Sequence, residues 1–341
     1  MVFRITVQSS RHVFQANEDE TILDAALRQG LSMPHSCRDG ACGTCRGKVL
    51  SGTVDHGKAQ LSALDASDRE AGFALFCCAH PKSDLLVEAR GIRMPQEIPV
   101  RTLPARVEKM TRATPDVMIV ELKLPAGTHL PFLAGQYVDV LTKGGRRAFS
   151  LANTPHDDAL LQLHIRHIPG GQFTTHVFTG MKEREMLRIN GPHGSFFLRE
   201  DSDKPIMLVA GGTGFAPIKA IVEQTIANDS RRPIALFWGG RQRQDIYLRD
   251  LAEQWVSHHP HIRFTPVLSE PASDDQWTGR TGFVHTAAMA DYPDLSGFQA
   301  YVCGSPAMIA AARRDFVGQC RLPEDEFFAD AFESARNTKT D

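Results

Sequence analysis

The sequence predicts a multidomain protein of the α+β and α/β class, with three consecutive units in one chain of 341 residues. The first unit places a cysteine-rich loop among strand and helix patterns. The second contains short alternating strands interrupted by glycine and proline, which is typical of an antiparallel β-barrel. The third alternates continuous apolar strands with helices, which indicates a doubly wound parallel sheet.

Composition limits the classes of function. The formal net charge of −2 argues against nucleic acid as the main partner. No stretch approaches the ~20 apolar residues of a membrane span, and the strand-like start has no apolar segment typical of a signal peptide. Seven cysteines, four of them in one motif, suit a reducing cytosol better than a disulfide framework. We therefore expect a cytoplasmic protein that binds neither nucleic acid nor a membrane.

The first unit, residues 1–92, carries a C-x4-C-x2-C run and two adjacent cysteines further on, namely Cys37, Cys42, Cys45, Cys77 and Cys78. This spacing is that of plant-type [2Fe–2S] clusters, which need four thiolates. Gly40 and Gly43 allow the loop to curl and bring N–H groups near the sulfurs. The alternative is a zinc site, but zinc usually takes paired C-x2-4-C motifs. Only one of the two adjacent cysteines serves as the fourth ligand.

A helix is predicted before the cysteine loop. Thr21 and Asp24 form a capping-box-like start, and Gly30 is the expected end. Two later apolar segments, Val49–Gly52 and Leu85–Glu88, predict further strands. Prolines in and beside residues 93–103 then predict a linker without regular structure.

The second unit, residues 104–200, contains two segments suited to a flavin. They supply Arg147, Phe149 and Ser150, then Arg166, Gly171 and Thr174. An aromatic ring can cover an isoalloxazine, whereas arginine and hydroxyl groups bind a pyrophosphate. The alternative is two surface arginines and a core phenylalanine, but the units on either side favour the flavin.

The third unit, residues 201–341, joins an apolar strand to a helix through a glycine turn. The turn and the start of the helix contain Gly211, Gly212, Thr213, Gly214 and Pro217. Glycines there let a pyrophosphate approach the helix N-terminus, where free N–H groups favour anions. Proline at the last place departs from G-x-G-x-x-G, and a simple tight turn is the alternative.

Two further features belong to the third unit. Cys303 and Gly304 end a later strand, where side chains face the ligand crevice of such a sheet; a buried core thiol is the alternative. Arg241 and Arg243 follow the second strand, where arginine accommodates an adenosine 2′-phosphate. Solvated surface charge is an equally good interpretation of these arginines.

Together the motifs resemble those of the bacterial iron–sulfur flavoprotein reductases over nearly the whole chain. The first unit looks like the β-grasp domain of plant-type ferredoxins. Arg147–Ser150 resembles the family's R-x-[YF]-S flavin motif, and Gly211–Pro217 resembles its nicotinamide-phosphate loop. Phe327–Phe332 is similar to its C-terminal aromatic segment. The family motif L-x-C-x-x-x-P implies that Cys77 is the fourth ligand.

The resemblance implies a [2Fe–2S] cluster and FAD, with NADH as electron donor and NADPH as the alternative. It also implies a redox partner protein, either a pyridoxamine-phosphate (PMP)-dependent sugar dehydrase or an oxygenase component. The likeness is greatest to the reductases of 3,6-dideoxysugar synthesis. Cys303 and Phe332 would act beside the nicotinamide and the flavin. Two other classes of protein explain less of the sequence. An NAD(P)H-dependent flavoenzyme that acts on a small molecule would not need the first unit. A redox sensor could carry a cluster but would not need the segments predicted to bind FAD and the nicotinamide.

Overall fold

The computed structural model describes residues 1–8, 12–29, 31, 33–35, 37–89, 98–157 and 160–332. Its main sheets follow the chain in order: five mixed strands, six antiparallel strands and six parallel strands. This confirms the predicted class. None of the helices in the described part of the chain combines the length and apolarity that a bilayer crossing requires.

The first unit is a mixed sheet covered by one helix. Thr21 Oγ1 accepts a hydrogen bond from Asp24 N at 3.1 Å and caps that helix as predicted; the predicted end at Gly30 lies outside the described residues. The sheet order is β2-β1-β7-β3-β5, with β1 parallel to β7. The elements are β1 (Val2–Val7), β2 (Val13–Asn17), α1 (Ile22–Arg28), β3 (Arg46–Ser51), β4 (Val54–Asp55), α2 (Ala66–Glu70), β5 (Phe73–Leu75), β6 (His80–Pro81) and β7 (Leu85–Glu88).

The second unit is a closed antiparallel barrel. Its strand order is β11-β10-β13-β8-β9-β12, and a bridge between Leu151 and Leu163 joins the two edges. Closure removes exposed sheet edges. The elements are β8 (Arg101–Thr114), β9 (Val117–Lys123), β10 (Tyr137–Thr142), β11 (Gly145–Ser150), β12 (Leu160–Arg166), α3 (Gln172–Thr179) and β13 (Met186–His193).

Strand β8 begins earlier than the sequence predicts. It starts at Arg101, inside the span 93–103 that proline content predicts as a linker, and Leu103 pairs with Ile189. Pro104 lies within the strand because β13 is its neighbour there, whereas pairing with β9 starts only at Arg106. A proline without an N–H is tolerated where a strand has a neighbour on one side only.

The third unit is a parallel sheet of order β17-β16-β15-β14-β18-β19 with helices on both faces. One apolar cluster lies under α4 and α5, and another lies under α6 and α7. This is the predicted doubly wound arrangement. The elements are β14 (Ile206–Gly211), α4 (Phe215–Ala227), β15 (Ile234–Gly240), α5 (Arg249–His258), β16 (Ile262–Leu268), β17 (Arg280–Thr281), α6 (Val284–Asp291), β18 (Gln299–Gly304), α7 (Pro306–Gly318) and β19 (Phe327–Ala331).

The first unit docks on both of the others. His35 N donates to Ser195 Oγ at 2.6 Å, and Ser195 N donates to His35 O at 2.7 Å. Thr44 Oγ1 donates to Ala329 O in β19 at 2.8 Å. The cysteine loop (residues 37–45) therefore lies where the barrel and the parallel sheet meet.

Candidate cofactor sites

Four thiols of the first unit form two pairs. Cys42 raises the pKa of the Cys37 thiol and Cys77 raises that of the Cys45 thiol, so the thiols of each pair lie close together. A [2Fe–2S] cluster takes two thiolates on each iron, so this paired arrangement fits it.

Two glycines shape the cysteine loop. Gly40 and Gly43 have φ values of 72° and 71°, in the left-handed region that favours glycine. A Cβ at Gly40 would lie 2.8 Å from Cys78 Sγ and 3.0 Å from Ala59 Cα. Asp39 N donates to Cys37 Sγ at 3.4 Å. The loop therefore brings main-chain donors to the sulfur atoms, as the sequence predicts.

The two adjacent cysteines have different electrostatics. The neighbouring thiols of Cys45 and Cys78 lower the pKa of Cys77 to about 3. Cys78 Sγ lies 3.6 Å from Cys77 Sγ, and this neighbour, together with burial, raises the pKa of Cys78. The pKa of Cys45, another predicted ligand, is raised in the same network. The choice of Cys77 over Cys78 therefore stays a prediction from the family motif.

We predict that Cys77→Ser strips the cluster, whereas Cys78→Ser leaves the EPR signal of the reduced cluster in place. The reason is that Cys77, four residues before Pro81, has the register of the ligand in the family motif, whereas Cys78 is its neighbour. Iron content and EPR of the reduced protein check both variants. Loss of the signal in Cys78→Ser with retention in Cys77→Ser would reverse the assignment.

The predicted flavin motif lies on β11. Phe149 packs against Phe173 of α3 with ring centroids 5.6 Å apart. Ser150 is buried, and its Oγ donates to Asp330 Oδ2 at 3.4 Å. Arg147 is half-buried on the same strand, near the hairpin turn that precedes it. The motif therefore links the barrel to α3 on one side and to β19 on the other.

The N-terminus of α3 is a candidate anion site beside the predicted flavin motif. Gly171 is the N-cap, so no side chain caps the first turn. A Cβ at Gly171 would lie 2.7 Å from Thr174 Oγ1, which itself accepts from Ile168 N at 3.1 Å. Free N–H groups at a helix N-terminus favour phosphate. A Cβ at Gly144 would lie 3.0 Å from Gln172 Oε1, so the start of α3 faces the hairpin that leads to Arg147, and pyrophosphate binding by these residues stays a prediction.

Arg166 is placed between the barrel and the third unit. Its guanidinium lies 3.4 Å from Asp116 and 3.3 Å from Asp245. A Cβ at Gly212 would come within 3.4 Å of the same guanidinium. The structure thus sets Arg166 in a two-carboxylate network beside the glycine turn, and phosphate binding by Arg166 stays a prediction.

The glycine turn after β14 is in close contact with the end of β18. A Cβ at Gly214 would lie 2.2 Å from Cys303 O, and one at Gly304 would lie 3.3 Å from Gly211 Cα. Thr213 lies within this turn, and Pro217 stands in the first turn of α4, where a missing N–H is tolerated. The glycines thus let the turn pack directly on the end of β18, and phosphate binding at the start of α4 stays a prediction.

An aromatic stack holds the same turn. Trp238 Nε1 donates to Gly212 O at 3.0 Å, and its ring stacks on Phe215 at a centroid distance of 3.6 Å. Gly212 has φ of 53°, which only glycine adopts readily. The turn therefore has one fixed conformation.

The two predicted catalytic residues lie together at the carboxyl end of β18. Cys303 is fully buried, and burial raises the pKa of its thiol well above the usual range, with Asp330 adding to the effect. Phe332 N donates to Gly304 O at 2.8 Å. The thiol is therefore neutral, and because it is fully buried in the apolar cluster under α4 and α5, its contact with a nicotinamide stays a prediction.

Arg241 and Arg243, which follow β15, have different hydrogen-bond partners. The guanidinium of Arg243 donates to Asp275 O at 3.4 Å. Arg241 has an exposed side chain, and its backbone N–H donates to Asp245 Oδ2 at 2.8 Å. Gln242 N donates to the same oxygen at 3.0 Å. A carboxylate thus occupies the backbone donors at this strand end.

Sequence reasoning missed several residues that assemble these sites. Asp330 contacts Ser150, which is 180 positions away in the chain, and Asp245 contacts Arg166 across 79 positions. Trp238 appears in the sequence only as the last apolar residue of a strand. No local pattern distinguishes these residues, because their partners belong to other domains or other turns.

Three family models match consecutive parts of the chain. A 2Fe-2S iron-sulfur cluster binding domain matches residues 5–82, an oxidoreductase FAD-binding domain matches 104–198, and an oxidoreductase NAD-binding domain matches 208–314. Together the three models define an iron–sulfur flavoprotein reductase. The cofactors predicted from the sequence, a [2Fe–2S] cluster, FAD and a nicotinamide dinucleotide, are confirmed.

Proteins that are similar to this chain over its whole length are also reductases. The chain is 40% identical over 332 residues to the CDP-6-deoxy-L-threo-D-glycero-4-hexulose-3-dehydrase reductase of Yersinia pseudotuberculosis, covering 97% of this chain and 99% of the relative. It is 35% identical over 340 residues to the reductase component DmpP of phenol 2-monooxygenase from Pseudomonas sp. strain CF600, covering 98% and 96%. The crystal structure of the Amycolatopsis cytochrome P450 reductase GcoB matches with 35% identity and a TM-score of 0.76, over 98% of this chain and 100% of that one.

The chain belongs to the iron–sulfur flavoprotein reductase family. It is an NAD(P)H-dependent oxidoreductase that passes electrons through FAD and a [2Fe–2S] cluster to a redox partner protein.

Proposed function

We propose that the partner is a PMP-dependent CDP-sugar 3-dehydrase, so that this chain supplies the electrons for a deoxysugar. The observation that carries the proposal is the end-to-end match to the Yersinia dehydrase reductase, at 40% identity. We also propose a cytoplasmic location, which the seven free thiols support.

An oxygenase component is the second candidate partner. The phenol hydroxylase P5 protein of Acinetobacter pittii is 37% identical over 341 residues, covering 98% of this chain and 96% of the relative. The difference in identity from the dehydrase reductase is small, and both kinds of relative span the chain. The cofactor arrangement serves either partner, because each needs single electrons.

The domains would divide the work between them. We assign residues 1–92 to the cluster, 104–200 to FAD and 201–341 to the nicotinamide dinucleotide, with 93–103 between the first two. When bound, FAD exchanges a hydride for two single electrons, which a [2Fe–2S] cluster carries one at a time. The glycine turn and the start of α4 would hold the dinucleotide phosphates, and Arg241 would lie nearer the adenosine.

Side chains at the strand ends would set the geometry of hydride transfer. The neutral Cys303 thiol and Gly304 would pack against the nicotinamide, because both end β18 beside the glycine turn. Phe332 is held by its N–H at the same strand end and would cover the flavin ring. Arg147, Phe149 and the N-terminus of α3 would bind and orient the flavin.

Reconstitution tests the choice of partner. The holoenzyme is mixed with NADH, purified CDP-6-deoxy-L-threo-D-glycero-4-hexulose 3-dehydrase and its CDP-sugar substrate. We expect NADH oxidation that requires both dehydrase and sugar, with formation of the 3-deoxy product. A parallel mixture contains a phenol hydroxylase oxygenase component and phenol. Turnover in the second mixture and none in the first would replace the proposed partner with the oxygenase.

We predict that NADH is the better donor. The Asp245 carboxylate occupies the backbone donors beside Arg241, and its negative charge would oppose an adenosine 2′-phosphate. Steady-state kcat/KM for NADH and NADPH measures the preference, and Arg241→Ala should change the ratio by less than about threefold. A clear NADPH preference that disappears in Arg241→Ala would show that this arginine binds the 2′-phosphate.

A further inference from the structure

One carboxylate links the first unit to the third. Glu324 Oε1 accepts from Arg46 Nη1 and from Arg313 Nη1, each at 3.2 Å. Arg46 belongs to β3 of the first unit and Arg313 to α7 of the third. Arg46 also donates to Asp68 at 2.6 Å. We call Arg46, Glu324 and Arg313 the interdomain bridge.

Both arginines of the bridge touch the segment that binds the cluster. Arg46 directly follows the ligand Cys45 in the chain. A Cβ at Gly43 would lie 3.6 Å from the Arg313 guanidinium, so that guanidinium packs on the loop between Cys42 and Cys45. Each arginine is held on its other face by an aromatic ring, Phe73 for Arg46 at 4.0 Å and Phe327 for Arg313 at 4.7 Å.

The residues after Glu324 connect this loop to the flavin motif. Glu324 stands directly before β19. In that strand, Ala329 O accepts from Thr44 of the cysteine loop, and the next residue, Asp330, accepts from Ser150 of the flavin motif. Neighbouring residues of one strand thus contact the two sites between which electrons must pass.

We propose that Glu324 is a positioning residue for electron transfer, holding the cluster-binding loop at a fixed distance from the flavin through the interdomain bridge. Partly exposed ion pairs contribute little to stability, and Glu324 keeps 41% of its side chain exposed. Its effect is on geometry, because electron transfer falls off steeply as two centres separate. The proposal rests on the cofactor sites assigned under the proposed function.

The test compares Glu324→Ala and the isosteric Glu324→Gln with a matched control, Glu253→Gln. Glu253 also pairs with an arginine, Arg249 at 2.6 Å, but both lie on α5. Hydrogen exchange of amides 41–46 reports opening of the loop, and stopped flow with NADH follows flavin bleaching and then cluster bleaching. In both Glu324 variants we expect exchange to rise by about fivefold and cluster bleaching to slow by at least about threefold.

Flavin bleaching by NADH, iron content and FAD content should stay at wild-type values in every variant. If exchange and cluster bleaching are unchanged in both Glu324 variants, the proposal is wrong. If exchange rises while cluster bleaching keeps its wild-type rate, the bridge stabilises the interface without positioning the cluster, which also overturns it. A wild-type protein whose cluster does not bleach after its flavin would instead contradict the proposed function.

Discussion

Cys45→Ser is expected to abolish electron transfer to cytochrome c or to the partner protein while sparing NADH-driven reduction of ferricyanide. Ferricyanide takes electrons directly from a flavin, whereas the other acceptors draw them from the cluster. Hydride transfer involves the barrel and the parallel sheet, so loss of the cluster should leave it intact. Stopped-flow flavin bleaching should stay close to the wild-type rate.

Cys45 is the right ligand to remove because of where it packs. Its side chain belongs to the apolar core of the first unit. Cys42, by contrast, packs together with residues of the parallel sheet and α7. A serine at position 45 should therefore remove a predicted cluster ligand without disturbing the core of the third unit, whereas one at position 42 would disturb that core.

Iron and FAD content, the two acceptor assays and circular dichroism complete the experiment on Cys45→Ser. The wild-type protein gives the reference rates, and Cys78→Ser serves as a cysteine control that keeps the cluster. If flavin bleaching by NADH collapses while FAD stays bound and the fold is intact, the first unit takes part in hydride transfer. The linear path from nicotinamide through flavin to cluster would then be wrong.

Features that depend on neighbours in the chain could be predicted from the sequence. The sequence predicts that a helix starts at Thr21, because Thr21 and Asp24 have the spacing of a capping box. The structure contains the hydrogen bond from Asp24 N to Thr21 Oγ1. The cysteine spacing defines the cluster because three ligands come from one loop. Continuous apolar strands such as Ile206–Gly211 are typical of buried parallel sheets. In each case a few adjacent residues carry the physical cause.

Features that depend on distant contacts could not be predicted. From the sequence alone, Pro104 indicates an end to regular structure. In the structure Pro104 lies within β8, because only β13 pairs with the strand at that point. Glu324 and Arg46 are 278 positions apart, so no periodicity or motif connects them. The pairing of Arg166 with Asp116 and Asp245 likewise depends on how the barrel meets the third unit, whereas its predicted role as a phosphate ligand stays a prediction.

Gly214→Ala should also cause a large loss of activity, in this case of hydride transfer from NADH. An added Cβ would lie 2.2 Å from Cys303 O and 2.6 Å from its carbonyl carbon. Both atoms are backbone, so the glycine turn must move away from the end of β18. Overpacking of this kind typically costs ~1–3 kcal/mol of stability. Because the turn is displaced from the end of β18, we expect kcat/KM for NADH to fall by at least about tenfold.

The readouts for Gly214→Ala separate a damaged nucleotide site from a damaged protein. FAD content, iron content and photochemical reduction of the flavin should match the wild type, because the barrel and the cluster loop do not contain this turn. Gly297→Ala is the control, since no atom lies within 4 Å of a Cβ built there; it should keep the wild-type kcat/KM for NADH. If Gly214→Ala also keeps a kcat/KM within about twofold of wild type, the turn does not hold the dinucleotide against Cys303, and the assignment of Gly211–Gly214 as the phosphate loop fails.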